Sequence, residues 1–237
     1  MSASISHEVN FIRPPNIVSS LVWTFVLFLP LICARAEVSR SDVHVLAQDI
    51  DKHYNHLHSL RAEFIETYRG AGIERTESGT LWLKKPGKMR WEYRSPKEKL
   101  FLGDGKDAWF YVPGDQQARR TPMRKLDDLQ SPLAFMLGKT KLEKELRGLS
   151  RASDVAPLNP SDVVLRGTPT VLAQRVSQVL LEITPEKQIS RIVIEERDGS
   201  VTEYRFREQS ENVDVGDQLF HFAPPPGVEI INGELDQ

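Results

Sequence analysis

Residues 41–237 predict a mainly β (α+β) protein: one antiparallel, meandering sheet of about eleven strands, an N-terminal helix and a short helical insertion. Three observations carry this. Short apolar-alternating segments follow one another from Leu60 onward, with turn residues between them. Helical spacing occurs in only two places. The connections between strands are short, so consecutive strands pair antiparallel within a single domain.

The first 36 residues differ from the rest. Arg13 precedes an uncharged run from Ile17 to Cys33, and Ala34-Arg35-Ala36 precedes Glu37. A basic flank, a short apolar core and a small-x-small ending predict a cleaved signal peptide, 1–36. The run is short for a membrane span and holds Pro30. The carrier of the fold is then 37–237, exported and free of cysteine, because Cys33 is the only one. Cys33 as a lipidation site is disfavoured by the bulky Ile32 before it. The net charge of −2 excludes the basic footprint expected of a nucleic-acid binder.

Between Ser41 and Leu60, the apolar positions Val43, Leu46, Ile50, Leu57 and Leu60 fall on one face of a helix, with Ser41 as N-cap. His53, His56 and His58 lie near its end. With no cysteine and no carboxylate in register, they read as helix surface rather than as a metal site.

The first strand, 61–69, sets Ala62, Phe64, Glu66 and Tyr68 opposite Glu63, Ile65 and Thr67. Gly70-Ala71-Gly72 turns the chain into a second strand near 75–85, with Leu81, Leu83 and Lys85 on one face. A third strand carries Met89, Trp91 and Tyr93 on one face and Arg90, Glu92 and Arg94 on the other. Strands at 100–102, 108–112 and 116–120 follow.

Residues 127–147 change character. Leu133, Phe135, Met136 and Leu137 crowd a short helical stretch, and 148–162 reads as a loop. Strands resume near 163–167, 174–184, 189–197, 200–208 and 217–223. Pro224-Pro225-Pro226-Gly227 ends any strand.

No nucleophile elbow, phosphate loop or acid–base pair appears, so the residues predict no enzyme, no cofactor and no metal site. A sheet of this size curls, and a concave face lined with large side chains under helices suits a greasy ligand. The same side chains would equally serve as plain core.

From Leu60 to Gly227 the chain resembles the LolA family of periplasmic lipoprotein carriers. The matching pieces, in order, are LRAEFIETY, SGTLWLKKPGKMRWEY, LGDGKDAWFYVPGDQQA, SPLAFML and FHFAPPPGV. The resemblance implies an unclosed antiparallel β-barrel of about eleven strands with an α-helical lid, about 127–147, and no cofactor. It implies a cavity for acyl chains, to which Leu81, Leu83, Met89, Trp91, Phe135 and Met136 are assigned. It also implies partners: lipoproteins, an inner-membrane ABC transporter that supplies them and an outer-membrane acceptor, with the carrier acting as a monomer in the periplasm. An arginine in the family hydrogen-bonds the lid backbone after the second strand. Lys85 stands there, keeping the charge and losing the planar fork, which implies weaker lid control. Met89 replaces a typical aromatic. Alternatives are the acceptor lipoprotein of the same route, acylated at Cys33, or a carrier or sensor for another lipid.

Overall fold

The computed structural model describes residues 35–123 and 141–233, the side chains of 35–41 excepted. The expected signal core, Phe135, Met136 and most of the helical insertion lie outside these residues.

Helix α1 spans Arg35–His56. It begins six residues before the expected N-cap Ser41, which therefore lies inside the helix, and ends before Leu57, four residues short of the expected Leu60. The apolar spacing misleads here because Leu57 and Leu60 both face the core although the helix has already stopped. The Leu57 amide donates to the Tyr54 carbonyl in a closing turn, and β1 starts at Ser59.

Six strands follow: β1 Ser59–Gly70, β2 Ile73–Lys84, β3 Lys88–Ser95, β4 Lys99–Asp104, β5 Asp107–Tyr111 and β6 Gln117–Pro122. After the undescribed stretch come α2 Leu142–Glu145 and then β7 Leu146–Arg151, β8 Val163–Pro169, β9 Val176–Ile183, β10 Ile189–Glu196 and β11 Val201–Glu211. A 3-10 turn, Asp217–Phe220, leads to β12 Glu229–Asn232.

The twelve strands among the described residues form one sheet in the order β12-β6-β5-β4-β3-β2-β1-β11-β10-β9-β8-β7. β12 and β7 are its two edges, so the sheet is unclosed. Every pairing is antiparallel except β12 with β6, which is parallel.

Three expectations need correction. The segment 148–162 begins inside a strand: β7 was hidden because a register shift between Arg147 and Ser150 breaks its alternation. Residues 217–223 form no strand. Phe220 and Phe222 are buried with His221 exposed between them, an alternation that comes from packing, Phe222 against Leu102 and Ala118, rather than from strand pairing. The proline run does not end the sheet, because β12 resumes pairing beyond it.

One side of the sheet shares a single apolar core with α1. Residues from β1, β2, β3 and β7 to β11 join Val43, Ala47, Ile50 and Tyr54 of the helix, and Leu57 just after it, in that core. The four helix positions are spaced four, three and four apart, the stripe of one helical face. Eight flat strands at about 4.8 Å apiece would extend about 34 Å, far wider than a helix of about 10 Å. To share a core with one helix, the sheet must curl around it. The convex side carries two smaller clusters. Ala152, Val164, Leu180 and Val193 lie beneath the loop after β7. Leu102, Ala118 and Phe222 join the C-terminal segment to β4 and β6.

Candidate ligand-binding face of the curled sheet

The strand registers decide which side chains line the concave face. Leu83 lies opposite Leu60 and Met89, and Leu81 opposite Ala62 and Trp91. Leu81, Leu83 and Trp91 are buried and Met89 is half-buried against the same core. Four of the six cavity residues expected from sequence thus share one surface. Phe135 and Met136 lie outside the described residues.

Sequence reasoning missed the aromatic nest around Trp91. Its ring meets Phe64 edge-on at 4.8 Å between centroids, and Tyr204 and Phe206 at 5.9 and 6.4 Å. Phe64 also meets Tyr93 at 4.9 Å. Edge-to-face geometry of this kind adds roughly 0.5–1.5 kcal/mol per pair beyond the buried area. Tyr204 and Phe206 come from β11, more than a hundred residues from Trp91, and reach it only because β11 pairs with β1.

Two glycines make room on this face. A Cβ on Gly79 would stand 1.8 Å from the Glu92 carbonyl oxygen, where β2 and β3 approach closely. A Cβ on Gly103 would press on the Met123 sulfur at 2.9 Å and on Met89 at 3.1 Å. The two thioether side chains therefore meet over Gly103, soft and adaptable.

Toward the β1–β2 hairpin the face becomes polar. Glu66 and Glu77 sit directly opposite each other, both buried. Tyr93 donates its hydroxyl to Glu66 at 2.8 Å. Glu77 is matched by Lys99 at 2.7 Å and Arg75 at 3.3 Å. Burial pushes the Glu66 carboxyl above its ordinary value, the Tyr93 hydrogen bond pulls it back, and the Glu77 charge pushes it up again. Burial and the nearby Glu66 raise both Tyr93 and Tyr204. The alternation of β1, with Glu66 in phase with Ala62 and Phe64, was the signal that placed this carboxyl inward.

At the opposite end, Lys85 reaches α1. Its ammonium donates to the carbonyls of Tyr54 at 2.5 Å and Asn55 at 3.0 Å, in the helix's last turn, where carbonyls lack intrahelical partners. Burial lowers the Lys85 pKa. Four further contacts among the described residues fix the helix. Tyr54 accepts the Ile189 amide at 2.8 Å, His53 meets Glu211 at 2.9 Å, and Asp51 accepts the Leu142 amide at 3.0 Å. His44 bridges to Glu143 on α2 at 2.8 Å. Of the three histidines near the helix end, His56 bonds the Lys52 carbonyl. Among the described residues no group of three or more His, Cys, Asp or Glu is placed to hold a metal.

The magnitudes rank these forces. Burying Val43 and Ile50 of α1, and Leu57 immediately after it, contributes roughly 1.5–3 kcal/mol each, about 5–9 together. Each polar contact is worth about 1 kcal/mol net. Apolar burial holds α1 down; the polar contacts set where it sits.

The family described as "Outer membrane lipoprotein carrier protein LolA" matches residues 55–223. An outer-membrane lipoprotein carrier protein of Nitrosospira multiformis is 32% identical over 178 residues, covering 73% of this chain and 82% of that one. Its counterpart in Pectobacterium atrosepticum is 29% identical over 212 residues, covering 86% and 96%. An uncharacterised conserved protein of Thermus thermophilus shares the fold at a TM-score of 0.52 and 12% identity, covering 81% of this chain and 99% of that one. By its family match and by its curated relatives, the chain belongs to the LolA family of outer membrane lipoprotein carrier proteins.

Proposed function

We propose that this protein is a periplasmic chaperone that binds the acyl chains of lipoproteins on the concave face and carries them toward the outer membrane. The observation that carries the reading is one continuous apolar and aromatic surface, Leu60 to Tyr204, on an unclosed sheet with a helix seated on it. The names of its curated relatives support it. In this reading residues 1–36 are a cleaved signal peptide and 37–237 the single carrier domain. The donor is an inner-membrane ABC transporter, and the recipient an outer-membrane acceptor.

Energetics favour such a device. An acyl chain of about fifteen methylenes at about 0.8 kcal/mol each is held in a membrane by roughly 12 kcal/mol. It does not cross water alone. A carrier must cover it and still release it. Seating α1 on the same face supplies roughly 5–9 kcal/mol, so helix and chain compete on comparable terms. The empty carrier keeps its greasy face covered, and loading needs only the difference from outside. Leu81, Leu83, Met89 and Trp91 form the acyl-binding surface and Lys85 controls the helix.

Release of lipoprotein from spheroplasts tests this. Met89→Glu puts a charge on the half-buried part of the face and is expected to abolish release while leaving the sheet folded. Release at the wild-type rate by a folded Met89→Glu protein refutes the surface assignment. Mass spectrometry of the exported protein is expected to find Glu37 at the N-terminus; an acylated Cys33 points instead to the membrane-anchored acceptor.

A further inference from the structure

We propose that the free edge of β7 is a docking strip for an extended acidic segment of a partner protein. β7 pairs only with β8, so among the described residues the N–H and C=O groups on its other side have no strand partner. Edges of this kind template the addition of a strand.

The edge is also charged in one sense. Lys141, Lys144, Arg147 and Arg151 are all exposed; Lys141 lies near Asp51, and the side chains of Lys144, Arg147 and Arg151 have no ion-pair or hydrogen-bond partner among the described residues. Arg61, Arg90, Lys99 and Arg191 of the inner strands, by contrast, each sit against a carboxylate. Within 141–151 the acids are Glu143 and Glu145, and Glu143 is taken up by His44.

Three occupants suit such an edge, and the geometry separates them. A second copy would bring the same four cations against these, which like-charge repulsion opposes. A flat anionic membrane meets one face only, whereas Arg147 and Arg151 lie on opposite faces of the sheet, as their register partners Thr168 and Leu165 require. An extended acidic segment running along the edge meets both faces and the free backbone groups. Six residues of strand span about 20 Å, so the partner offers about six residues with carboxylates on both sides. The register shift at Arg147–Ser150 and Gly148, at φ +67°, bend the edge and discourage indiscriminate sheet-to-sheet pairing.

The test uses the whole protein and a blocked seven-residue peptide of glutamate, valine and threonine. A second peptide of equal charge carries proline in place of valine and threonine, and phosphatidylglycerol vesicles make a third arm. The first peptide is expected to shift and protect the amides of Leu146–Arg151, with affinity falling steeply in salt. Lys144→Glu, Arg147→Glu and Arg151→Glu together, all at exposed positions, are expected to weaken it at least about tenfold without altering the circular dichroism. No response at β7 overturns the proposal, leaving the basic bulged edge as protection against aggregation. An equal response to the proline peptide, or binding to vesicles alone, also overturns it.

Discussion

Replacing Lys85 with methionine keeps the aliphatic stem and removes the ammonium that caps α1. Two hydrogen bonds are lost, to the carbonyls of Tyr54 and Asn55. Bonds from a charged donor are worth roughly 1.5–3 kcal/mol when sheltered. Here the Asn55 contact is exposed to water, and burial already disfavours the charged amine. Screening and this cost reduce the loss to roughly 1–2 kcal/mol. At about 1.36 kcal/mol per decade, undocked α1 becomes about five- to thirtyfold more populated. Amide hydrogen exchange followed by mass spectrometry reads this directly. Peptides covering Ala47–Tyr54 should exchange faster by that factor while β1 and β11 stay unchanged. Lys85→Arg, which restores donors to both carbonyls, should return the exchange to wild type. Wild-type exchange across α1 in the methionine variant, or an equal rise throughout the sheet, refutes the idea that Lys85 controls the helix locally.

Other outcomes follow from the same structure. Glu66 has a raised folded pKa, so the folded protein keeps a proton that the unfolded chain, near its usual 4.5, has released. Its contribution to stability is complete below that value and disappears as pH rises through the folded pKa. Glu66→Gln stays neutral throughout, so its melting temperature should gain on wild type as pH rises above 4.5; parallel curves contradict this. Glu182 is 1% exposed, accepts the amides of Leu158 and Asn159 and pairs with Arg191 at 2.7 Å. Glu182→Ala strands those partners and should cost about 3–5 kcal/mol in urea unfolding; a loss under about 1 kcal/mol argues that the loop above it is not anchored there. Gly79→Ala drives a Cβ into the Glu92 carbonyl at 1.8 Å, a backbone clash that no rotamer relieves. It should cost at least about 3 kcal/mol and disturb β3 amides in NMR spectra; a wild-type spectrum would show that the strands separate freely.

Much of the fold was legible because inner strands obey a period of two. Ala62-Phe64-Glu66, Leu81-Leu83 and Met89-Trp91-Tyr93 each keep one face inward without interruption. What failed lies at the margins of the sheet. β7 carries a register shift at Arg147–Ser150, and β12 has four residues beyond a proline run, so neither shows a sustained alternation. Phe220 and Phe222 gave the reverse error, an alternation produced by packing without strand pairing. In the site, Leu81, Leu83 and Trp91 announced themselves through local pattern. Tyr204 and Phe206 did not, because only the β1–β11 register brings them beside Trp91. The role of α1 as the cover of this face was also unreadable, since an amphipathic stripe says that a helix is buried and not what it is buried against. The contact of Lys85 with that helix came from neither spacing nor charge; the family resemblance alone directed attention to the position.

The central claim is that acyl chains and α1 compete for one face of the curled sheet. Amide exchange of α1 in the empty carrier and in the carrier loaded with a purified acylated lipoprotein measures that competition. Competition predicts that Val43–Tyr54 lose protection on loading while β1, β2 and β11 keep theirs. Unchanged or greater protection of Val43–Tyr54 in the loaded carrier contradicts it.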